Sequence, residues 1–562
     1  MDVVDQHIAA AEADAAPLAA AVKVETPHDA TLPSRDDAAQ TVAVGMWPKV
    51  APIRKPAPKP HAVLALMVAL FACVLISLQC AAGAYDNDMW WILATGREIV
   101  QNGIPYVNPF SFQADMGIVV QQWLADVILF LIYDAFGITG AQVLVFVQMM
   151  TLVGCLYALC QTCRNAGRSG GEISLILIAI GFGAFQAYSS VRPHLYTMIM
   201  FALVLLVLEK YRLSKNVKLL VLLPLLVCLH VNLHASMAPY DLFIIALYAI
   251  PDVLAWLKKH GEYHGAFSLH LGDYPRWPLL VMLVACAAAL LVNPYGINGA
   301  LYLVNSYGAA GYGNYINEMG NTSFWTDYGI CAMICIVIGA IALGANAEKR
   351  INVPLSLLFV VAIPLSMIHT RNVWLVAFFA VPLAAQAFDR FSLWVENPPE
   401  LHILPVRLVC CAMLVVATVV YGVSEALPLA QEEYETDSGN VPVEALNYLD
   451  EYVADNGLSK ADLLLYNSFN NGGYVEWRGY KAFIDPRPEL WEPAITGINR
   501  HFYQEFVDFA QSKSTTRELL EEYDFDFMIV YSSSDLATDL SKRSDYQVVK
   551  TGSGYKLWEK VS

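Results

Sequence analysis

Hydrophobic and polar positions divide this chain into three stretches of different pattern. Residues 1–61 show no sustained periodicity and are rich in Ala, Asp, Pro and Thr, so they are expected to form a disordered tail. From residue 62 come long apolar runs, at 62–84, 139–162, 172–190, 195–211, 218–234, 236–257, 277–293, 326–344, 353–369, 372–388 and 406–424. A helix needs about 20 apolar residues to span a bilayer. The pattern therefore predicts about eleven transmembrane helices over 62–424. Ala82-Gly83-Ala84 has the small residues of a signal-peptidase site, but its run is too long and starts too late, so the first helix is expected to be retained. Beyond residue 424 the pattern shortens. Leu463–Tyr466, Ala482–Ile484 and Phe527–Tyr531 read as buried strands, and 442–455, 499–511 and 515–523 have helical spacing. Residues 425–562 are thus expected to form a small soluble α/β domain.

Charge placement orients the runs. Arg164 and Arg168 follow the second; Lys210, Arg212, Lys215 and Lys218 follow the fourth. Lys258 and Lys259 follow the sixth, Lys349 and Arg350 the eighth, and Arg390 the tenth. Basic residues in every second loop mark the cytoplasmic side. With Lys49, Arg54, Lys55 and Lys59 ahead of the first run, the N-terminus is expected in the cytoplasm and 425–562 outside a plasma membrane.

Composition agrees with a bilayer as solvent: 57% of residues are hydrophobic and only 15% charged, against about a quarter charged in soluble domains. The net charge of −17 is uneven, and the tail from residue 425 holds 25 Asp and Glu against 12 Lys and Arg. No basic stripe occurs outside short loops, which argues against nucleic-acid binding. All eleven cysteines precede residue 412, so the tail has no disulfide framework. Cys160 and Cys163 form a C-x-x-C without a second pair and read as small buried hydrophobes.

With this orientation, the loops on the exoplasmic face collect the chain's candidate chemistry: Asp86 and Asp88, Arg192 and His194, His230 and His234, Asn293-Pro294-Tyr295-Gly296, and His369 with Arg371. Ionisable groups at membrane depth are costly and usually mark a site. Asp86 and Asp88 can aim an oxygen at a metal or a hydroxyl, act as a general base, or simply cap the helix that follows. Trp90 and Trp91 suit an interfacial helix, and a second such stretch, Trp123–Phe136, carries Asp126 and Asp134. Arg192 and Arg371 either fork onto a phosphate or anchor lipid headgroups. His230 and His234 share a helix face, as ligands do, yet no Glu stands between them as in H-E-x-x-H; hydrogen-bonded boundary residues are the other reading. Gly472-Gly473 lacks the Lys-Ser/Thr of a phosphate loop and reads as a structural turn. Asp485-Pro486-Arg487-Pro488 is a stiff segment suited to docking the tail on the membrane part.

The run Asp86-Asn87-Asp88-Met89-Trp90-Trp91, with Thr95-Gly96-Arg97 and Asn108-Pro109-Phe110-Ser111-Phe112, resembles the first exoplasmic loop of the GT-C superfamily of polytopic glycosyltransferases. It is most similar to a bacterial subgroup that also has the Asn-Pro-Tyr-Gly found here at 293–296, and an Arg-Asn and Pro matched by Arg371, Asn372 and Pro382. That subgroup's tail has an Asn before Gly-Gly-Tyr and then Asp-x-Arg, matched by Asn467, Gly472-Gly473-Tyr474 and Asp485-Pro486-Arg487, with one extra residue before the Gly pair. Where relatives often carry His after the Trp pair, this chain has Ile92, which removes a side chain that could touch metal or phosphate. The resemblance implies transfer of a sugar from a polyprenyl-phosphate donor to a glycan or lipid acceptor of the cell envelope. Asp86 or Asp88 would be the catalytic base or would orient the acceptor hydroxyl. Arg192, His194 and Arg371 would hold the departing phosphate, and His230 and His234 would contact substrate. A divalent cation is optional, since several GT-C enzymes work without one. Two other classes stay open: a transporter or lipid flippase, for which no two-half repeat is evident, and a scaffold acting through the acidic tail.

Overall fold

The computed structural model describes residues 60–83, 87–113, 115–164, 171–185, 189–250, 274–307, 320–323, 325–346, 352–387, 441–512, 516–552 and 554–561. They belong to one compact unit, Ala57–Ser562. The apolar run 406–424 and Asp86 lie outside them.

Ten of the apolar runs coincide with helices: α1 (Pro60–Ala82), α3 (Trp123–Cys163), α4 (Gly171–Phe185), α5 (His194–Ser214), α6 (Leu222–Leu233), α7 (Pro239–Ala249), α8 (Trp277–Ala289), α9 (Asp327–Asn346), α10 (Val353–Ile368) and α11 (Val373–Ala387). Between the first two lies α2 (Asp88–Asn102). Three helices are long and apolar enough to cross a membrane, Trp123–Cys163, His194–Ser214 and Asp327–Ala345. Residues Val217–Val221 ahead of α6 are wound as a 3-10 turn, and Pro364 lies inside α10. In α3 the interfacial and apolar stretches read from the sequence are one element bent at Gly137, whose φ of 60° lies in the left-handed region. That conformation costs glycine little.

α5 is the buried axis of the bundle, packed against α3, α6 and α7. Near its far end Glu209 is fully buried, and three elements satisfy it. Arg212 donates at 2.7 and 2.9 Å, Tyr248 on α7 at 2.6 Å, and Asn352 ahead of α10 at 2.7 Å. A buried carboxylate is tolerable only when paired and hydrogen-bonded in this way. Cys160 and Cys163 are buried free thiols, as expected.

The tail folds as α12 (Val443–Asn456), β1 (Leu465–Asn467), α13 (Gly472–Trp477), α14 (Phe502–Ala510), α15 (Thr516–Tyr523), β2 (Phe527–Tyr531), α16 (Asp535–Leu540), β3 (Tyr546–Gly552) and β4 (Tyr555–Lys560). The sheet order is β1-β2-β4-β3, with β1 and β2 parallel and the other pairs antiparallel. The strand expected at Ala482–Ile484 does not join the sheet. Its amides are taken elsewhere: Ala482 N donates to Phe110 O at 2.8 Å and Phe483 N to Asn467 Oδ1 at 2.8 Å.

The first of these bonds joins the tail to the loop after α2, and α13 packs against α2 itself. Gly473 sits against Trp91, so that a Cβ there would lie 2.9 Å from its backbone nitrogen, and a Cβ on Gly472 would lie 2.0 Å from Ile484 O. Trp90 is fully buried, edge-on to Tyr474 with centroids 5.0 Å apart. The Trp pair therefore lies beneath the tail and does not face the membrane surface. Arg97 donates to the Glu476 and Trp477 carbonyls at 3.2 and 2.8 Å. The tie at the centre is Arg487. It forks onto Asp485 at 3.0 and 2.8 Å, reaches Glu476 at 3.2 Å and Thr95 Oγ1 at 3.1 Å, and stacks 4.6 Å above Trp91.

Burial, and next the Asp485 carboxylate, hold Glu476 well above the usual carboxylate range, with Arg487 opposing. A raised carboxyl contributes stability that is complete below its unfolded value near 4.5 and lost as pH rises through the folded one. Protection of the tail from protease should therefore fall as pH rises from about 5. Glu476→Gln, neutral throughout, should flatten that slope; an unchanged slope would assign the pH dependence to another group. Gly472→Ala must push Ile484 away, and a loss of about 1–3 kcal/mol should appear as a lower thermal midpoint.

Candidate functional site

Three helix ends and one tail segment converge on the sequence-predicted residues. Asp88 is the first residue of α2. Its carboxylate pairs with Arg192, Nη2 to Oδ2 at 3.0 Å, with both side chains partly exposed. Arg192 lies in the turn that ends at Pro193, the N-cap of α5, and His194 is that helix's first residue. His194 and His234 pack edge to face with centroids 5.4 Å apart. Arg371 occupies a 3-10 turn, Thr370–Asn372, between α10 and α11. Thr370 N donates to Gly320 O at 3.0 Å, which ties this turn in place. The charges of Arg371 and Arg192 both reach His194, and that of Arg371 reaches His234. Asp88, Arg192, His194, His234 and Arg371 thus form one cluster.

His230 is set back from it. Its ring is fully buried, bonded through Nδ1 to Asp241 Oδ2 at 2.7 Å and through Nε2 to Thr197 Oγ1 at 3.2 Å. Thr197 Oγ1 is in turn 2.7 Å from His234 Nδ1. The Asn-Pro-Tyr-Gly segment is a tight turn. Asn293 accepts from Tyr295 N at 2.9 Å and donates to Gly296 O at 2.9 Å, while Tyr295 OH donates to Pro105 O at 2.8 Å. Gly296 takes a φ of 56° there.

Sequence reasoning missed a carboxylate from the tail. Glu489, two residues beyond the Arg487 anchor, accepts from Gln121 Nε2 at 3.4 Å and Tyr302 OH at 3.2 Å. Both bonds land on Oε1. Burial pushes its carboxyl up, and the Arg371 charge pulls it down. Its signal lay in the resemblance, which covers Asp485-Pro486-Arg487, but nothing in the pattern pointed the next acid inward. Asp126, in the first turn of α3, is fully buried, accepts from Gln122 at 2.9 Å, and lies within electrostatic reach of Arg487. It belongs to the docking surface.

Chemically, two guanidiniums lie within electrostatic reach of a His pair; Arg192 is paired with Asp88, and the Arg371 charge reaches Glu489. Such an arrangement suits a phosphate held by planar forks beside a group able to take a proton. It fits a divalent cation poorly. Asp88 is engaged by Arg192, and among the described residues no three His, Cys, Asp or Glu side chains converge as a metal site would require.

The sequence matches no protein-family profile and no curated protein sequence. Solved structures do resemble the fold. The oligosaccharyltransferase of Archaeoglobus fulgidus, tethered to an acceptor peptide containing the NVT sequon, superposes with a TM-score of 0.53 at 14% identity, over 83% of this chain and 69% of that one. Its apo form gives 0.50 at 14% identity, over the same shares. ArnT from Cupriavidus metallidurans, bound to undecaprenyl phosphate, gives 0.47 at 12% identity over 90% of this chain and 99% of its own, too loose a match to carry argument. At such identities the likeness speaks for architecture: the chain has a fold like that of the Archaeoglobus fulgidus oligosaccharyltransferase.

Proposed function

We propose that this protein is a membrane glycosyltransferase that moves a sugar from a polyprenyl-phosphate donor to a glycan or lipid acceptor on the exoplasmic face of the plasma membrane. The observation that carries the reading is the cluster of Asp88, Arg192, His194 and Arg371 at the ends of α2, α5 and α10. The outward placement of the tail follows from the alternation of basic loops.

In the reaction an acceptor oxygen attacks the sugar's anomeric carbon as the bond from that carbon to the phosphate oxygen breaks. The acceptor proton passes to the Asp88 carboxylate, or to Asp86 beside it in sequence, and the bonding pair leaves on the polyprenyl phosphate. Arg192 and Arg371 compensate the charge that gathers there, in a setting where fixed donors need no reorganisation. Asp88 and Arg192 pair with each other. An arriving phosphate competes for the guanidinium and frees the carboxylate for its acceptor. Glu489 supplies the tail's wall of the site, within electrostatic reach of Arg371.

Mass spectrometry of purified protein with a panel of polyprenyl-phosphate sugars and envelope-lipid acceptors tests this reading. Asp88→Asn should lower turnover by about 10²- to 10⁴-fold without shifting the thermal midpoint; full activity in it, in Asp86→Asn and in the double variant would sink the base assignment. Arg371→Lys keeps the charge but loses the fork, so donor KM should rise by about tenfold or more. Equal donor KM in wild type and Arg371→Lys would place the phosphate elsewhere.

A further inference from the structure

The tail reaches the site through one carboxyl group, and only one of its two oxygens is committed. Glu489 lies in the 3-10 turn Pro488–Trp491 that follows Arg487. Gln121 Nε2 at 3.4 Å and Tyr302 OH at 3.2 Å both donate to Oε1. Oε2 takes no hydrogen bond among the described residues, and it is not one of their enclosed oxygens either. Protein surrounds the carboxyl closely enough to push its pKa up, while part of the residue's surface stays open. Those two properties together belong to the wall of a cleft.

Hydrogen bonds from neighbouring segments set where that wall stands. Gly117 N donates to Thr496 O at 2.9 Å, just beyond the turn. Ala235 N, next to His234, donates to Gln121 O at 2.8 Å, and Trp123 Nε1 donates to Asn232 Oδ1 at 2.8 Å. The segment whose amide holds Glu489 is thus sewn to the segment that carries His234. Tyr302, buried at the start of the short helix Tyr302–Tyr307, holds the carboxyl from a third segment. The Arg371 charge reaches the same carboxyl, so Oε2 opens beside the cationic cluster.

The chemistry of the partner follows without fixing the proton. An ionised Oε2 accepts a hydrogen bond, and a protonated one donates it. A hydroxyl both gives and takes a hydrogen bond, so it answers either form. An ammonium answers only an accepting oxygen, and here it would also meet the like charge of Arg371. In the proposed reaction Arg192 and Arg371 hold the donor phosphate, and the sugar is joined directly to that phosphate. A group bordering Arg371 from the tail therefore meets the sugar.

We propose that Glu489 recognises the transferred sugar of the donor through a hydrogen bond between its open carboxyl oxygen and one sugar hydroxyl. The ligand rests on the glycosyltransferase reading; the open oxygen rests on the geometry alone. Glu489 is then a specificity-determining residue, and the acceptor proton remains with Asp88 or Asp86.

The test measures binding to the full chain in lipid nanodiscs. The probes are farnesyl phosphate and its esters with glucose, galactose, mannose and N-acetylglucosamine. In wild type at least one ester should bind about tenfold more tightly than farnesyl phosphate. Glu489→Ala should erase that advantage, while farnesyl phosphate itself binds no more weakly, since a negative charge near Arg371 has gone. Removing the preferred sugar's hydroxyls one at a time should abolish the advantage at one position in wild type and change nothing in Glu489→Ala. An advantage undiminished in Glu489→Ala overturns the proposal, and so does a wild type that binds no ester better than farnesyl phosphate. Should Glu489→Ala expose the tail to protease, Glu489→Asp decides: it keeps the carboxyl but draws it back by one methylene, and the advantage should still fall. A Glu489-dependent advantage without sugar transfer would leave this inference standing and remove the transferase; transfer with an advantage independent of Glu489 would do the reverse.

Discussion

Everything about this site depends on one buried guanidinium. Arg487 is almost completely enclosed, yet its fork is filled by Asp485, Glu476 and Thr95, and its face rests on Trp91. A charge in that position is stable only because each donor has an acceptor at hydrogen-bond distance. Two of its acceptors come from the tail and one from α2, so the contact joins two parts of the chain that are almost 400 residues apart in sequence. Lysine has neither the second donor arm nor the planar face, which makes the position specific for arginine.

From that anchor the geometry propagates both ways. Along α2, the buried Trp90 and Trp91 hold the helix whose first residue, Asp88, meets Arg192. Gly96 on the same helix touches the α3 backbone so closely that a Cβ would lie 2.3 Å from Asp126 O. Along the tail, Pro488 follows Arg487 and carries Glu489 to Gln121 and Tyr302. The tail is therefore a wall of the site as well as a cover for it, and its acidic surface is a separate property.

Much of this was legible in the sequence, and the limits have physical causes. Apolar runs found the helices because burial within the bundle and burial in lipid both demand the same residues. They could not count crossings, since α7 and α8, at 11 and 13 residues, are apolar but short. Motifs fixed by backbone contact were readable: Gly472-Gly473 and Asp485-Pro486-Arg487 do serve packing and docking. β3 and β4 were both missed: most residues of β3 are exposed, and β4 is short, with a burial pattern that does not alternate strictly. Thr197 and Asp241 were missed because each sits on a different helix, and only tertiary structure places them on either side of His230. The sequence could not show that Asp88 pairs with Arg192, because the two lie about a hundred residues apart on different elements.

The central claim is that tail and membrane helices make a single site for sugar transfer. Arg487→Lys tests it most directly, with transfer and tail proteolysis measured on the same preparation. The account predicts that the tail becomes protease-sensitive and transfer is lost together, while the helical bundle keeps its thermal midpoint. A released tail with undiminished transfer would contradict it.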